Sequence, residues 1–496
     1  MKTTLSPNSI CRPQYAQSGS VLVFSMGILI TLAVLSGVVL NILGARHRQS
    51  FQTAAWHNAL LGAESGIDKA VVETKKIIRY SSTSGDVPWA GWTQTAPTGS
   101  APKYVRLYTR ADPSVPTGVW TWAKVTAEPL GYNAADPNAV TWWRVRSIGY
   151  EPIPGNSTLA GESKDVALRK LDLKYDHRES REGNRVPVPK QMASRMVEAV
   201  LKPVGAFRAA LFADRRIDMN NLNIVVDSYD SRDVTKSTNG FYDPTKRQQN
   251  GDIVTNGNVI DVGNAHIYGD ASTNAGTVLR AGNVTGQIRT DFYHELFPVT
   301  RPSMVADFGS PSTVNGSATL TASPGTPAKF ILNTINLSGS NTLRIAGAAN
   351  GSPTYAQILV NGDVGLSGQS KITLDPGVQV RMFVVGDADL TGGGVANPND
   401  PLSFQLYGVE QLPDSSGNVA QRNFKIAGNG GFRGSVYAPN YNINFVGGGN
   451  TDSIFGGFVG RNINMTGVQA VHYDEALGDG GIFGDFKIVS WFEDTR

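Results

Sequence analysis

Cysteine is nearly absent, since Cys11 is the only one among 496 residues. The chain therefore forms no internal disulfide, and its rigidity must come from a large core or from repeated backbone hydrogen bonding. Charge is scarce as well: 17% of the residues are charged, the net charge is +3, and no dense block of Lys and Arg occurs. This balance gives no reason to expect nucleic acid as a partner.

The motifs of common enzyme classes are also missing. The sequence has no nucleophile-elbow serine, no phosphate-binding loop and no Cys/His zinc spacing. We therefore expect no catalytic residue and no cofactor, and we predict that the protein is not an enzyme.

Charge is missing from one long stretch near the amino terminus. No charged side chain lies between Arg12 and Arg46, and residues 21–43 are almost wholly apolar. As a helix this stretch would be about 34 Å long, enough to cross a bilayer core of about 30 Å. A secretory signal has an apolar run of only about 7–15 residues, and Cys11 precedes the run, which excludes a lipoprotein signal. Residues 21–43 are thus predicted to be a retained transmembrane segment.

Proline is missing between Gln14 and Val87, and the apolar positions beyond residue 43 keep helical spacing. One helix over residues 20–79 would be about 90 Å long. Its first half would be apolar all round and its second half amphipathic. An ordinary single-pass anchor, the alternative, ends near the membrane interface, whereas this helix would continue into a folded head.

Two stretches of this helix, QSGSVLVFSMGILITL and NALLGAESGIDKAV, resemble the amino-terminal region of type IV pilin-like proteins. They are most similar to PilX-type minor pilins and to the K-type pseudopilins of type II secretion. The resemblance implies that residues 1–19 are a prepilin-type leader. A prepilin peptidase would cut between Gly19 and Ser20, and the new amino terminus would be methylated.

Two further residues bear on assembly. Most major pilins carry Glu at the fifth mature position, but this chain has Phe24 there, as expected of a minor or tip subunit. Glu64 lies in the stretch AESGI, which matches a short pattern of the same family. Phe24 and Glu64 are therefore the predicted helix-assembly residues.

Residues 88–177 are predicted to form a pilin-like head, an antiparallel sheet covered by the helix. Four stretches alternate with the period of a strand: 103–109, 119–127, 139–150 and 164–175. The region is rich in tryptophan, for which core packing is favoured over a carbohydrate-stacking platform. The residues concerned are Trp89, Trp92, Trp120, Trp122, Trp142 and Trp143.

Residues 178–206 are predicted to be a polar linker followed by a short helix. From residue 207 the text repeats: ILVNGDVGLSG at 358–368 returns as FVVGDADLTGG at 383–393, and NIN occurs at both 442–444 and 462–464. Short strands at such a nearly constant interval, with Gly and Asn at the bends, indicate a right-handed parallel β-helix, or solenoid, over residues 207–496. A β-sandwich is the alternative. The overall fold class is thus an α+β pilin-like part followed by an all-β solenoid.

The carboxyl-terminal text, including VHYDEAL, also resembles the β-solenoid heads of some PilX-type proteins. The ending IFGDFKIVSWFEDTR is predicted to be a strand that closes the open end of the solenoid. Before it, HYDEALGDGG places Asp474, Glu475 and Asp479 close together beside His472. These oxygen ligands are candidates for a Ca²⁺ site, but the spacing is not that of an EF-hand, and a capping turn is favoured.

Parallel β-helices also occur in sugar-cleaving enzymes, so Asp363, Asp387 and Asp389 are candidates for stacked catalytic carboxylates. Asp is a common turn residue, and no Lys or Arg recurs beside them in the register that a lyase would need, so turns are favoured.

The combined prediction is a minor pilin or pseudopilin of a type IV pilus or type II secretion apparatus that displays a solenoid for adhesion or assembly. Expected partners are other pilins, prepilin peptidase, the inner membrane and surface polysaccharide. The expected location is the bacterial inner membrane with the bulk in the periplasm, and then the pilus or cell surface. The alternative is a membrane-anchored enzyme or adhesin acting on polysaccharide.

Overall fold

The computed structural model describes thirteen stretches of the chain. They are residues 18–79, 88–95, 101–108, 123–131, 141–152, 192–219, 223–307, 312–348, 352–427, 431–447, 454–467, 470–480 and 483–494. The predicted leader up to residue 17, the predicted strand 164–175 and the polar linker 178–190 lie outside the described residues.

One helix, α1, spans Ser18–Arg79, which is 62 residues and therefore about 93 Å. No break occurs near Arg46, so the predicted continuous rod is confirmed. Side chains between residues 21 and 50 are exposed except at Gly44. Beyond them, buried residues recur every three or four positions along one face of the helix. They are Ala55, Ala59, Ala63, Ile67, Ala70 and Thr74.

That face packs on a six-stranded antiparallel sheet, the head sheet. Its strands, in spatial order, are β1 (Thr93–Thr95), β2 (Lys103–Tyr108), β3 (Ala123–Leu130), β4 (Trp142–Pro152), β5 (Met192–Gly205) and β32 (Phe483–Asp494). Strands β2, β3 and β4 overlap the predicted strand segments 103–109, 119–127 and 139–150. The head core lies between α1 and this sheet and includes Ile67, Val125, Val145 and Leu201.

The segment predicted to be a short helix before residue 207 is instead strand β5. Its buried positions alternate, at Ala193, Val197, Ala199 and Leu201. Strand β5 pairs with β4 on one side and with β32 on the other. Two hydrogen-bonded neighbours stabilise the extended form over the helix that the local sequence favours.

The carboxyl-terminal segment is a strand, as predicted, but its place was predicted wrongly. Strand β32 pairs antiparallel with β5 in the head sheet, from Phe483 opposite Gly205 to Asp494 opposite Met196. It closes no end of the β-rich domain. The predicted domain 207–496 therefore contains a strand of the head, and residues 206–480 form an insertion between β5 and β32.

The inserted β domain is built of short strands. They are β6 (Leu211–Asp218), β7 (Val225–Tyr229), β8 (Ile253–Thr255), β9 (Val259–Asp261), β10 (His266–Ile267), β11 (Ala271–Ser272), β12 (Thr277–Leu279), β13 (Ile288–Arg289), β14 (Ser312–Val314), β15 (Ala318–Thr321), β16 (Ser323–Pro324), β17 (Ala328–Leu337), β18 (Thr342–Ala346), β19 (Thr354–Val360), β20 (Val364–Leu366), β21 (Lys371–Leu374), β22 (Val378–Val384), β23 (Ala388–Leu390), β24 (Val395–Ala396), β25 (Phe404–Gly408), β26 (Arg422–Ala427), β27 (Phe432–Arg433), β28 (Ser435–Val446), β29 (Ile454–Phe455), β30 (Phe458–Met465) and β31 (Ala470–Asp474).

Almost all of these strands pair in parallel. One ladder joins β17, β19, β22, β25 and β28, and a second joins β28, β26, β23, β20 and β17. Because β17 and β28 belong to both ladders, eight parallel strands form a closed ring. A third, nine-stranded ladder runs from β10 to β15.

The pairing follows the repeats read from the sequence. Ile358, in the first of the two similar segments, lies opposite Met382, which directly precedes the second. Asn442 lies opposite Asn462, so the two NIN stretches are stacked in register. The predicted stacking of similar segments is thus confirmed, and the right-handed parallel β-helix, or solenoid, stays a prediction.

The first strand of the β domain, β6, lies in the middle of the stack and not at one end. Strand β6 pairs with β30 on one side and with β8 on the other. The first coil, β6 and β7, therefore lies beside the last coil, β30 and β31. Strands β8 to β13 extend the stack one way, and strands β14 to β29 extend it the other way.

Residues 291–307, the return segment, run across the strands between the two ends. Phe292 packs edge-on against Phe212, 5.4 Å between ring centroids. Farther along, the Phe297 amide donates to the Tyr437 hydroxyl at 3.0 Å, and Val299 bridges to Val409.

Candidate functional site

The amino-terminal half of α1 is the most unusual surface of the molecule. Between residues 21 and 43 its large apolar side chains are 44–71% exposed. The helix is long and apolar enough to cross a membrane, with a mean hydropathy of 2.5 in its most apolar stretch. Such a surface is stable only in lipid or against other apolar protein surfaces.

The predicted processing residues lie where this helix begins. Gly19 and Ser20 are in the first turn of α1, and most of the predicted leader lies outside the described residues. Cleavage there would leave the apolar helix intact from its first turn.

The two predicted assembly residues lie far apart on α1. Phe24 is 71% exposed in the apolar half, whereas Glu64 is half-buried in the half that packs on the head sheet. At the rise of an α-helix, their positions are about 60 Å apart. The structure therefore does not bring them together within one chain.

The contact between helix and sheet depends on residues without large side chains. A Cβ atom at Gly149, on β4, would lie 2.6 Å from the amide nitrogen of Ala63 and closer still to the carbonyl oxygen of Ala59. A Cβ atom at Gly66 would lie 2.7 Å from a methyl group of Val125. The backbones of α1 and β4 are thus in direct contact. We name Ala59, Ala63, Gly66 and Gly149 the helix seat.

Gly149 was not singled out from the sequence, although a glycine inside the strand pattern VRSIGY signals close backbone approach. Ala63 and Gly66 belong to the AESGI stretch that carries the pilin resemblance. Their burial gives that stretch a physical role, because small residues let the helix lie directly on the sheet.

The end of α1 is tied to the loop that follows it. The buried carboxylate of Glu73 accepts a hydrogen bond from the Trp89 amide at 2.8 Å and pairs with Lys76 at 2.9 Å. Trp89 stacks on Tyr104 and contacts Trp143, with ring centroids 4.8 and 4.9 Å apart.

The tryptophans divide between core and surface. Trp89, Trp92 and Trp143 are at most 9% exposed, so these three pack in the core as predicted and offer no sugar platform. Trp142 is 42% exposed, and Trp120 and Trp122 lie outside the described residues.

The predicted Ca²⁺ candidates surround a short 3-10 helix, Glu475–Asp479, which follows the last coil. Asp474 is its N-cap and accepts from the amides of Ala476 and Ser231. Glu475 accepts from Ser228 and Asn250 and pairs with Lys236. Asp479 pairs with Lys202 and Arg232.

Each of these carboxylates is thus engaged with protein groups, and the favoured capping turn is what the structure contains. Among the described residues, no group of three or more His, Cys, Asp and Glu side chains is arranged to hold a metal ion. Through these contacts the turn ties three parts of the chain together: the last coil, residues 228–250 from the end of the first coil onward, and strand β5 of the head.

His472, on β31 two residues before Asp474, pairs with another buried residue. Its Nδ1 lies 2.6 Å from Asp227 Oδ1, across the junction of the last and first coils. Tyr242 stacks on the imidazole at 3.7 Å and donates to Asp227 Oδ2. The sequence offered no signal for this pairing, because the two partners are 245 residues apart.

Of the three candidate catalytic carboxylates, Asp363 and Asp387 lie at bends of the stack, whereas Asp389 lies within strand β23, where a turn was wrongly predicted. Asp363 Oδ1 accepts from the Asp387 amide at 2.8 Å, and Asp387 Oδ1 accepts from the Asn423 amide at 2.6 Å. Asp389 pairs with Lys425 at 3.4 Å. Asp363 and Asp387 each fix the backbone of the following coil, as the turn interpretation predicts.

The same corner recurs in the other half of the stack. Asp252 accepts from the Asp270 amide, and Asp270 accepts from the Gln287 amide, both at 2.7 Å. Glycine precedes each of these corners because a Cβ atom at Gly269 or Gly386 would overlap the coil beneath it.

The junction between the two domains carries an ionic cluster. Asp485, on β32, lies 3.0 Å from Lys75 at the end of α1 and 3.6 Å from Arg208 at the start of the β domain. His294 of the return segment lies near these groups. Burial, and then the charge of Arg208, lower the pKa of His294 to about 4.

Comparison with known proteins gives limited matches. A family model described as a domain of unknown function (DUF7305) matches residues 338–479, which is less than a third of the 496-residue chain. None of the curated proteins compared with the chain matches it.

Among solved structures, the chain is similar to the competence-associated pilin ComZ from Thermus thermophilus. The match has 11% identity, covers 89% of this chain and 97% of that chain, and has a TM-score of 0.22.

Proposed function

We propose that this chain is a pilin-like structural subunit, a minor or tip component of a type IV pilus or a type II secretion-like fibre. The observation that carries the proposal is the continuous helix Ser18–Arg79. One half of it exposes apolar side chains on all sides, and the other half lies directly against a folded sheet.

Burial of apolar surface favours two successive environments for the apolar half of α1: first the lipid bilayer, and then the apolar helices of other subunits. Each fully buried Val, Leu, Ile or Phe side chain contributes about 1.5–3 kcal/mol relative to water. The exposed residues between Val21 and Leu43 would therefore keep the helix in the inner membrane until equivalent apolar helices replace the lipid. The run serves first as an anchor and then as a surface for packing against other pilins.

The helix seat makes this transfer mechanically effective. Because the backbones of α1 and β4 touch at Ala59, Ala63 and Gly149, a displacement of the helix moves the head with it. A tether that left the membrane as a flexible loop would not couple assembly to the head in this way.

The β domain supports a minor or tip position. It is an insertion, residues 206–480, between two strands of the head sheet, and it makes up more than half of the chain. Repeated at every subunit, that bulk would crowd a fibre, whereas a single copy at the tip would display the solenoid for adhesion to surface polysaccharide or for contact with other subunits.

The proposal is tested by identifying the first residue of the mature chain. Mass spectrometry of the chain from a host with prepilin peptidase should show loss of residues 1–19 and a chain beginning at Ser20. Gly19→Trp should block the cut. Gly27→Trp is the matched control, because Gly27 lies on the same exposed apolar helix with no atom within 4 Å of its would-be Cβ, and it should be cut normally. An intact leader in wild type contradicts the proposal.

Fibre association separates the alternatives. A pilin-like subunit should appear in sheared fibres and should require the pilus ATPases. A plain membrane-anchored adhesin should stay with the membrane and be independent of those ATPases. A polysaccharide-cleaving enzyme should release fragments from acidic glycans when the full chain is added.

A further inference from the structure

One carboxylate in the turn after the last coil binds an amine and an amide of the same loop. Glu475 Oε2 accepts from Nζ of Lys236 at 3.3 Å, and Glu475 Oε1 accepts from Nδ2 of Asn250 at 2.8 Å. Both partners belong to residues 230–250, the loop between β7 and β8. Ser228 fixes the arrangement, because its hydroxyl donates to Glu475 Oε1 and accepts from the Asn250 amide, both at 2.9 Å. A nucleophile, an electrophilic carbonyl carbon and a proton carrier are thus held together.

The residue after Asn250 is glycine, and this bears on which nucleophile can reach the asparagine side chain. In an Asn–Gly pair the usual attacking group is the backbone nitrogen of the glycine. The Gly251 amide donates to the Tyr268 carbonyl at 2.8 Å, and a Cβ atom at Gly251 would lie 2.6 Å from Cα of Asp227. The backbone nitrogen is therefore held against neighbouring coils, which leaves the amine of Lys236 as the nucleophile.

We propose that Lys236 and Asn250 form an intramolecular isopeptide bond, with Glu475 carrying the protons. The lysine ammonium gives a proton to Glu475, and the free amine turns toward Cγ of Asn250 and attacks it. A bond forms between Nζ and Cγ, and the bond between Cγ and Nδ2 breaks. The departing nitrogen takes up, through Glu475, the two protons that Nζ loses, and it leaves as ammonium. The reaction consumes no oxidant, reductant or further reactant.

The new bond closes a ring over residues 236–250 and fixes this loop on the junction of the first and last coils. Within the ring, Tyr242 stacks on His472 at 3.7 Å and donates to Asp227 at 2.7 Å. Covalent closure restricts the loop in the unfolded chain as a disulfide does. With one cysteine in the sequence, an amide bond supplies a closure that cysteine cannot.

Intact-mass spectrometry of the denatured full chain tests the proposal. The wild-type mass should be lower than its sequence mass by one ammonia, and proteolysis should yield a peptide containing Lys236 joined to one containing Asn250. Glu475→Gln cannot carry the protons and Lys236→Arg removes the nucleophile, so both variants should have the full sequence mass. Lys371→Arg, at an exposed lysine on β21, is the matched control and should keep the ammonia loss.

Two results overturn the proposal. One is a wild-type chain with the full sequence mass, a result that does not depend on any variant folding. The other is an ammonia loss that persists in Lys236→Arg and maps to a succinimide at Asn250 and Gly251. Asn256, which also precedes a glycine, reports the background of such loss in the same spectra. The sequence mass is calculated from the observed first residue, so the outcome is independent of leader removal and of fibre assembly.

Discussion

At Gly149 the backbone of β4 contacts the backbone of α1. The position of this long helix on the sheet therefore depends on residues with very small side chains. Ala59 and Ala63 on the helix leave room for the strand, and Gly66 leaves room for Val125. Larger side chains would have to hold the helix farther away from the sheet. The close contact between the helix and the head therefore depends on small side chains at these positions.

Gly149→Val should dislodge the helix from the sheet. Its branched side chain would overlap the Ala59–Ala63 backbone, and we expect a loss of about 3 kcal/mol or more in the free energy of unfolding of the head. Urea unfolding followed by tryptophan fluorescence reports on this core through Trp89, Trp92 and Trp143. Gly316→Val, where no atom lies within 4 Å, is the control, and equal effects of the two variants would contradict the helix seat.

His294 should make the stability of the junction depend on pH. Its pKa is about 4 in the folded protein and about 6.5 in an unfolded chain. Above pH 6.5 the imidazole is neutral in both the folded and the unfolded chain, so it does not reduce the free energy of unfolding. As pH falls from 6.5 to 4, only the unfolded state binds the proton, so stability is lost over this range.

Thermal unfolding at pH 7 and pH 4.5 measures this effect. His294→Gln, which cannot titrate, should show a smaller fall in Tm between the two pH values than wild type. His266→Gln, at an exposed histidine of the same domain, should behave as wild type does. An unchanged pH dependence in His294→Gln would show that other groups cause the fall.

At the scale of elements, β5 and β32 show the limit of local sequence. The segment that forms β5 was predicted to be a helix. The segment that forms β32 was correctly predicted to be a strand but was assigned to the wrong domain. Both errors have the same cause. A strand's hydrogen-bonding partner can lie hundreds of residues away, as Met196 and Asp494 do, and no local pattern specifies that distance.

Phe486 provides a test of where β32 belongs. It is 5% exposed and lies in the head core, so Phe486→Ala should destabilise the head by about 3–5 kcal/mol. Phe492→Ala, on the same strand but at a side chain that is 52% exposed, should cost less than about 0.5 kcal/mol. Tryptophan fluorescence during denaturation separates the two, and a Phe486 effect confined to the β domain would favour the original assignment.

At the scale of the whole molecule, the β domain is a stack that the chain begins and leaves at its middle. Its first strand lies beside its last long strand, so both connections to the head emerge at one place. The return segment is the consequence of this order, because the chain must cross the strands to reach the far end of the stack before it can come back.

Tyr437→Phe should loosen the return segment. The hydroxyl accepts from the Phe297 amide at 3.0 Å and donates to the Phe297 carbonyl at 2.9 Å, all in a buried position. Its removal breaks both of these buried hydrogen bonds and should cost about 1–3 kcal/mol. The change is measured as a lower urea midpoint for the β domain and faster proteolysis within residues 291–307, while Tyr293→Phe in the same segment should match wild type.

The sequence by itself determined the continuous helix, the apolar half, three strands of the head and the stacking of the repeated segments in the β domain. These features follow from composition and local periodicity, which act between near neighbours or between similar segments. Only the tertiary structure decided that β32 returns to the head, that the stack is begun at its middle, that Gly149 seats the helix, and that Asp474, Glu475 and Asp479 tie the coils together. Those features depend on contacts between distant residues, which become favourable only when the whole chain has folded.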